Sequence, residues 1–205
     1  MKKKSICETA KALLLMALAS AFLSGCAFGN RKIDLVYPPQ DYKQYAYDAT
    51  LSQKIGIQKI ALEVTDQRTG DPKYLGEVRN GFYMHTADVV TEHSVQAWVQ
   101  KAFTKELQRS GFVVVSKNQS QAVLRVAVDM VHCNAYWGYS ADMILRISWV
   151  KGSKISQATK VEGFGSAGMN WGATSQAYSE SLAKALADSY YQAGHTFFSS
   201  ATIVP

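Results

Sequence analysis

Leu124-Arg-Val-Ala-Val-Asp-Met130 and Met143-Ile-Leu-Arg-Ile-Ser-Trp149 each place an apolar residue at every second position. A strand turns successive side chains to opposite faces, so each run reads as a β-strand with one buried and one more polar face. Lys151-Gly152-Ser153 supplies a turn into a further strand from about Lys154 to Gly163, which makes a meander. Upstream, Ile60, Leu62 and Val64 alternate in an earlier strand, and Phe112-Val-Val-Val-Ser116 reads as a short buried one. Another strand is expected around Phe82 to Val90, after a long loop from Gly70 to Tyr83. Two segments change period. Val95, Trp98, Val99, Ala102, Phe103 and Leu107 line one face of a helix, with Thr91 as its expected cap and Gly111 as its stop. Tyr178, Leu182, Ala185, Leu186, Ser189, Ala193 and Phe197 do the same from about Ser175 to Phe198. The predicted fold class is α+β: a mainly antiparallel sheet with two long helices packed on one face.

The amino-terminal end is organised differently. Lys2, Lys3, Lys4 and Lys11 precede the apolar run Ala12 to Leu23, and Leu23-Ser24-Gly25-Cys26 follows. A cationic start, a short greasy core and small residues at a cleavage point make a secretory signal, too short to stay as a membrane-spanning helix. Leu-Ser-Gly-Cys resembles the bacterial lipobox, which implies cleavage before Cys26 and acylation of that cysteine, palmitate included. Ala27 rather than aspartate follows it, which in the lipoprotein sorting pattern of Gram-negative bacteria implies export to the outer membrane. The division expected is a signal peptide over 1–25, a lipidated tether over 26–53 and a single α+β periplasmic domain over 54–205. Pro38-Pro39 and the tyrosines Tyr42, Tyr45 and Tyr47 show no helical or alternating period, and about 27 stretched residues reach on the order of 90 Å.

Composition restricts the remaining choices. The chain has 205 residues and a formal net charge of +6. Four lysines and Glu8 fall within the signal, so residues 26–205 carry 18 basic and 15 acidic side chains, a net +3. That weak and scattered excess does not argue for nucleic acid, and no nucleic-acid partner is expected. Cys7 leaves with the signal and Cys26 takes lipid, so Cys133 is left as a lone thiol inside an apolar run, and no intrachain disulfide is expected.

Motifs for catalysis are sparse. Gly163-Phe-Gly165-Ser-Ala-Gly168 fits the dinucleotide fingerprint by letter, but no repeated strand-helix unit surrounds it. The glycines are read as a bend between the last strand and helix. His85, His93, His132 and His195 have no metal-ligand spacing, so neither metal nor cofactor is expected. No nucleophile elbow or zinc-protease signature occurs. Asp66, Asp71 and Glu77 lie close in one loop, and two carboxylates are what a glycosidase needs.

Leu23 to Cys26, Val64-Thr-Asp66-Gln-Arg68-Thr69, the helix Val95 to Leu107 with Arg109 and Gly111-Phe112-Val113, and Val161-Glu162-Gly163 together resemble the YajG-type envelope lipoproteins of Gram-negative bacteria. The resemblance implies no enzymatic activity, and a core similar to modules that dock onto envelope machines. The expected role is a non-enzymatic binding or assembly module, an accessory or structural subunit of a secretion, flagellar or envelope-maintenance complex. Its partners would be the membrane, through the lipid, and protein, either another subunit or a second copy. Candidate contacts are Asp66, Arg68, Asp71, Tyr136, Trp137 and Tyr139, since exposed aromatic residues anchor interfaces. Asp66 and Asp71 are expected to be dispensable for folding. Two other readings stay open: a peptidoglycan- or glycan-acting enzyme using the Asp66–Asp71 loop, and a carrier for a small apolar ligand between sheet and helices.

Overall fold

The computed structural model describes residues 29–37, 48–80, 82–136, 138–168 and 174–195. In chain order its elements are β1 (Arg31–Lys32), α1 (Leu51–Lys54), β2 (Lys59–Asp66), β3 (Tyr74–Arg79), β4 (His85–Val90), α2 (Val95–Arg109), β5 (Val113–Val114), β6 (Ala122–Ala135), β7 (Tyr139–Lys151), β8 (Lys154–Ile155), β9 (Thr159–Ala167) and α3 (Ser175–Ala193). The fold is α+β, with most paired residues in antiparallel ladders.

The two alternating runs form the centre of the sheet as β6 and β7, antiparallel from Val123↔Val150 to Ala135↔Tyr139. β9 continues the meander on the far side of β7, from Tyr139↔Ala167 to Ile147↔Thr159. The strand expected from Lys154 to Gly163 is broken in two, β8 and β9, because Ser156–Ala158 leave the ladder. On its other side β6 is shared: β2 runs parallel to its first half, Ile60↔Ala122 to Asp66↔Val128, and β3 parallel to its second, Gly76↔Cys133 to Val78↔Ala135. The sheet therefore forks beside Asp129. At that point the β6–β7 register shifts between Val128 and Met130. An extra residue moves the inward phase from Val128 to Val131 and Cys133 and leaves Met130, expected inside, only half-buried.

The helices cover one face. On α2 the buried set is Val95, Trp98, Val99, Ala102, Phe103, Glu106 and Leu107. Ser94, not Thr91, caps it, accepting from Ala97 N at 3.2 Å, and Gly111 ends it with φ +84°. On α3 the sequence-predicted Tyr178, Leu182, Ala185, Leu186, Ser189 and Ala193 are all buried. Phe197 and Phe198 lie outside the described residues. The edge of Tyr190 meets Phe103 with ring centroids 5.3 Å apart, and its hydroxyl bonds Ser110 Oγ at 2.9 Å, so the helices are joined across the core.

Gly163 and Gly165 do not bend the chain. Both lie within β9 and face α3. A Cβ on Gly165 would overlap the Ser181 carbonyl oxygen and Ala185 N, and one on Gly163 would sit 2.6 Å from Ser189 N. Small residues on both partners let helix and strand backbones touch. This close packing gives the glycines a purpose unconnected with dinucleotides, and Gly168 meets nothing within 4 Å.

Two regions differ from expectation. The long loop Gly70 to Tyr83 contains β3, which Gly76 made hard to see: this glycine passes so close to Cys133 that a Cβ would lie 2.7 Å from its carbonyl carbon. Part of the stretch read as a tether is packed on the body. β1 lies parallel to β4, Arg31↔Val89 and Lys32↔Val90, and Ile33 and Tyr37 are buried. Tyr37 donates to Glu106 Oε1 at 3.0 Å. Ser175 and Ser179 of α3 donate to the carbonyls of Lys32 (3.1 Å) and Asp34 (2.6 Å). Pro38, Pro39, Tyr42, Tyr45 and Tyr47 lie outside the described residues.

Candidate functional site

The segment after β2 is shaped by one arginine. Arg68 Nε and Nη2 donate to the two Asp66 carboxylate oxygens at 2.9 and 2.8 Å. The same guanidinium reaches the carbonyls of Tyr74 (3.0 Å) and Pro72 (2.8 Å), closing the loop from Asp66 to Tyr74 on itself. Its side chain is only 9% exposed, against 23% for Asp66. Burial pushes the Asp66 carboxyl up, but the hydrogen bonds and charge of Arg68 outweigh it and hold the group below its ordinary value. A carboxylate clamped on both oxygens and kept ionised is a poor proton donor. Asp71 instead accepts from Lys73 N at 2.8 Å on the exposed rim, and Glu77 pairs with Arg79.

Asp66 is therefore a brace, which corrects the expectation that folding does not need it. Asp66→Asn should cost about 1–3 kcal/mol, because it leaves a nearly buried guanidinium without its anion. Asp71→Asn should fall within about 0.5 kcal/mol of wild type. Urea midpoints at neutral pH measure both. A folded carboxyl held below its unfolded value stabilises above the ordinary carboxylate range and loses that stabilisation as pH falls through the folded value. The gap between wild type and Asp66→Asn should accordingly narrow in acid. Equal midpoints at neutral pH would contradict the brace.

The aromatic candidates separate. Tyr139 is 4% exposed, its ring edge-on to Tyr178 at 4.8 Å and its hydroxyl accepting from Thr174 N at 3.2 Å. It is a core residue and presents no surface. The reason is its position: as the first residue of β7 it falls on the helix-facing side of the alternation. Tyr136 is half-buried, with its ring 3.8 Å from that of Tyr83. Trp137 lies outside the described residues.

A surface that the motif search missed lies on the face of the sheet opposite α2 and α3. Glu63, Thr65, Gln67, Arg125, Val126, Ala127, Arg146, Ser148 and Ala158 line a depression of about 410 Å³. Glu63 sits between Lys117 Nζ (2.7 Å) and Arg125 Nε (3.0 Å), which hold its carboxyl below the usual value, Lys117 contributing more. Arg146 donates to Asp129 Oδ2 and Oδ1 at 2.6 and 2.8 Å and to Gln67 Oε1 at 2.5 Å. The polar alternation of β6 and β7 foretold such a face. What it did not foretell was the parallel register that sets Glu63 opposite Arg125. With its charges paired, the depression offers hydrogen-bonding groups to a partner. Between sheet and helices, by contrast, Met143, Leu145, Tyr178 and Leu182 are fully buried, and the backbones of β9 and α3 touch.

Cys133 is buried, and burial drives its thiol far above the ordinary value, so it is inert. His85 and His93 pair with Asp88 (2.8 Å) and Asp34 (3.0 Å). Among the described residues no group of three His, Cys, Asp or Glu side chains could hold a metal ion.

Residues 49–138, from α1 to the β6–β7 turn, match the model of a family described as an uncharacterized lipoprotein. No curated protein matches the chain. Among solved structures, protein XCC0632 from Xanthomonas campestris, of the DUF330 family, is 11% identical over 80% of this chain and 92% of its own, with a TM-score of 0.49. Lipoprotein GNA1162 from Neisseria meningitidis is 7% identical over 54% and 84%, with a TM-score of 0.35. The hypothetical protein CT253 from Chlamydia trachomatis is 9% identical over 54% and 73%, at 0.36.

Proposed function

We propose that the chain is a YajG-type lipoprotein, acylated at Cys26 and held on the periplasmic face of the outer membrane, where it serves as a non-enzymatic binding module of an envelope complex. The observation that carries this reading is the match of residues 49–138 to a lipoprotein family behind a lipobox at Leu23–Cys26. Neither half of that observation depends on the other. The binding role draws support from the one-sided sheet: among the described residues helices cover one face, and the opposite face presents a concave, charge-paired surface. The non-enzymatic role draws support from Asp66, whose carboxylate braces its own loop.

The anchor is tested with Cys26→Ser in a Gram-negative host. Metabolic labelling with palmitate should disappear, and the protein should move from the outer-membrane fraction to the soluble or unprocessed fraction. A variant that stays in the membrane and is released only by detergent overturns the lipobox. Crosslinking the wild type in intact cells, with mass-spectrometric identification, should capture a reproducible envelope protein. Turnover of peptidoglycan fragments by the purified wild type, lost in Asp71→Asn, would instead favour the enzyme.

A further inference from the structure

The turn between β3 and β4 is apolar where turns are ordinarily polar. Phe82, Tyr83 and Met84 are 84%, 61% and 58% exposed. They are held outward by design of the turn: Asn80 Oδ1 accepts from Phe82 N at 2.9 Å and Met84 N at 3.1 Å, and Tyr83 has φ +62°, unusual for a non-glycine residue. The Tyr83 ring also lies on Tyr136 of the adjoining β6–β7 turn. The charges behind the turn are paired, Arg79 with Glu77 and His85 with Asp88. A neutral, rigid, aromatic projection is suited to an apolar–polar boundary, and aromatic residues of this kind concentrate at the membrane interface.

The chain path says which boundary. β1 runs parallel to β4, with Asn30 Oδ1 accepting from Asp88 N at 3.3 Å, so Asn30 lies level with Asp88, near the start of β4 and the end where the turn lies. Cys26 precedes Asn30 by four residues, as Met84 precedes Asp88. Four residues of strand rise about 13 Å, and four residues in any conformation span at most about 14 Å. An acylated Cys26 can therefore lie level with the turn but not far beyond it. The interfacial layer on each side of a bilayer is roughly 5–8 Å deep. A body held so close to its anchor meets the membrane with whatever projects at that end.

We propose that the β3–β4 turn, with Phe82, Tyr83 and Met84 outermost, inserts into the lipid headgroup layer beside the acylated Cys26. The inference rests on the lipidation reading. Acyl chains supply attachment, and the turn fixes orientation, so that the sheet stands upright with its β7–β8 end pointing away from the bilayer. Insertion of a charge-paired projection should be insensitive to salt.

The test uses the full lipidated protein, purified in detergent and returned to phosphatidylethanolamine–phosphatidylglycerol vesicles. A single cysteine is introduced as Phe82→Cys, or as Ser153→Cys in the distant β7–β8 turn, and labelled with an environment-sensitive fluorophore. Both sites are exposed, so folding is untouched, while buried Cys133 and acylated Cys26 do not compete for label. With nitroxide-labelled lipid in the vesicles, the probe at 82 should lose most of its emission, in low and high salt alike, and the probe at 153 should lose none. Emission at 82 that nitroxide lipid leaves unchanged overturns the proposal. If that emission is blue-shifted, the turn is covered by protein; if not, it stands in water. Mass spectrometry of the amino-terminal peptide separates the two hypotheses: a lipid-modified Cys26 with an unquenched probe sinks insertion alone, and an unmodified Cys26 sinks both.

Discussion

Gly165→Ala should be among the most damaging single substitutions in this protein, costing more than about 3 kcal/mol of the roughly 5–15 kcal/mol that a domain has. The added methyl would enter the space of the Ser181 carbonyl oxygen and Ala185 N, both backbone atoms of α3. Neither can rotate away as a side chain would, so the helix must lift from β9. For a domain of this size such a loss lowers Tm by at least about 6 °C. Circular dichroism during heating reads it directly. Gly168→Ala provides the contrast, since a Cβ there meets nothing within 4 Å, and it should melt with the wild type. A dinucleotide loop would need both glycines. Matching Tm values for the two variants would mean that α3 is not seated on β9 as described.

Phe103→Ala should cost about 3–5 kcal/mol. Phe103 is 1% exposed between α2 and the sheet and meets the edge of Tyr190, so truncation opens a cavity where two helices and a strand converge. The urea midpoint should fall with the slope unchanged. Lys101→Ala, on the exposed side of the same helix, should shift the midpoint by no more than about 0.5 kcal/mol equivalent. If both changes cost the same, the buried face of α2 has been misassigned. Gln100 would be a poor control, although the helical wheel places it away from the core. Its Nε2 donates to Leu62 O at 3.1 Å and ties the helix to β2.

That residue marks the limit of what periodicity reveals. Apolar spacing of two and of three to four located β2, β6, β7, α2 and α3, because burial of one face leaves its period in the chain. It says nothing of which strands are neighbours when the connection between them is long. The parallel pairing of β2 with β6 spans more than 55 residues of chain, and with it came the Glu63–Arg125 contact and the depression around it. Polar residues with internal partners escape periodicity for the same reason. Asp66 and Arg68 look like a solvated loop until both carboxylate oxygens are seen to be occupied, and Glu106 looks like an exposed helix position until Tyr37 is found beside it. The glycines of β9 were visible from the start. Their meaning needed the helix that lies against them.

The short strand β1 has a further consequence for how the protein is handled and inherited in pieces. A sheet's outermost strand offers a row of unpaired amides and carbonyls that can recruit another chain, and proteins ordinarily shield it. Here Arg31–Lys32, continued by Ile33 N donating to Val90 O at 2.9 Å, shields the end of β4. A chain trimmed to residue 54, where sequence alone would place the start of the domain, loses this cover. It also loses Ile33 from the core and the Tyr37 hydroxyl from Glu106. Such a fragment would retain every long strand and helix and yet be sticky, prone to pair edge to edge with its own copies. Residues 31–37 thus do two things at once: they complete the core from the amino-terminal side and they blunt the edge of the sheet.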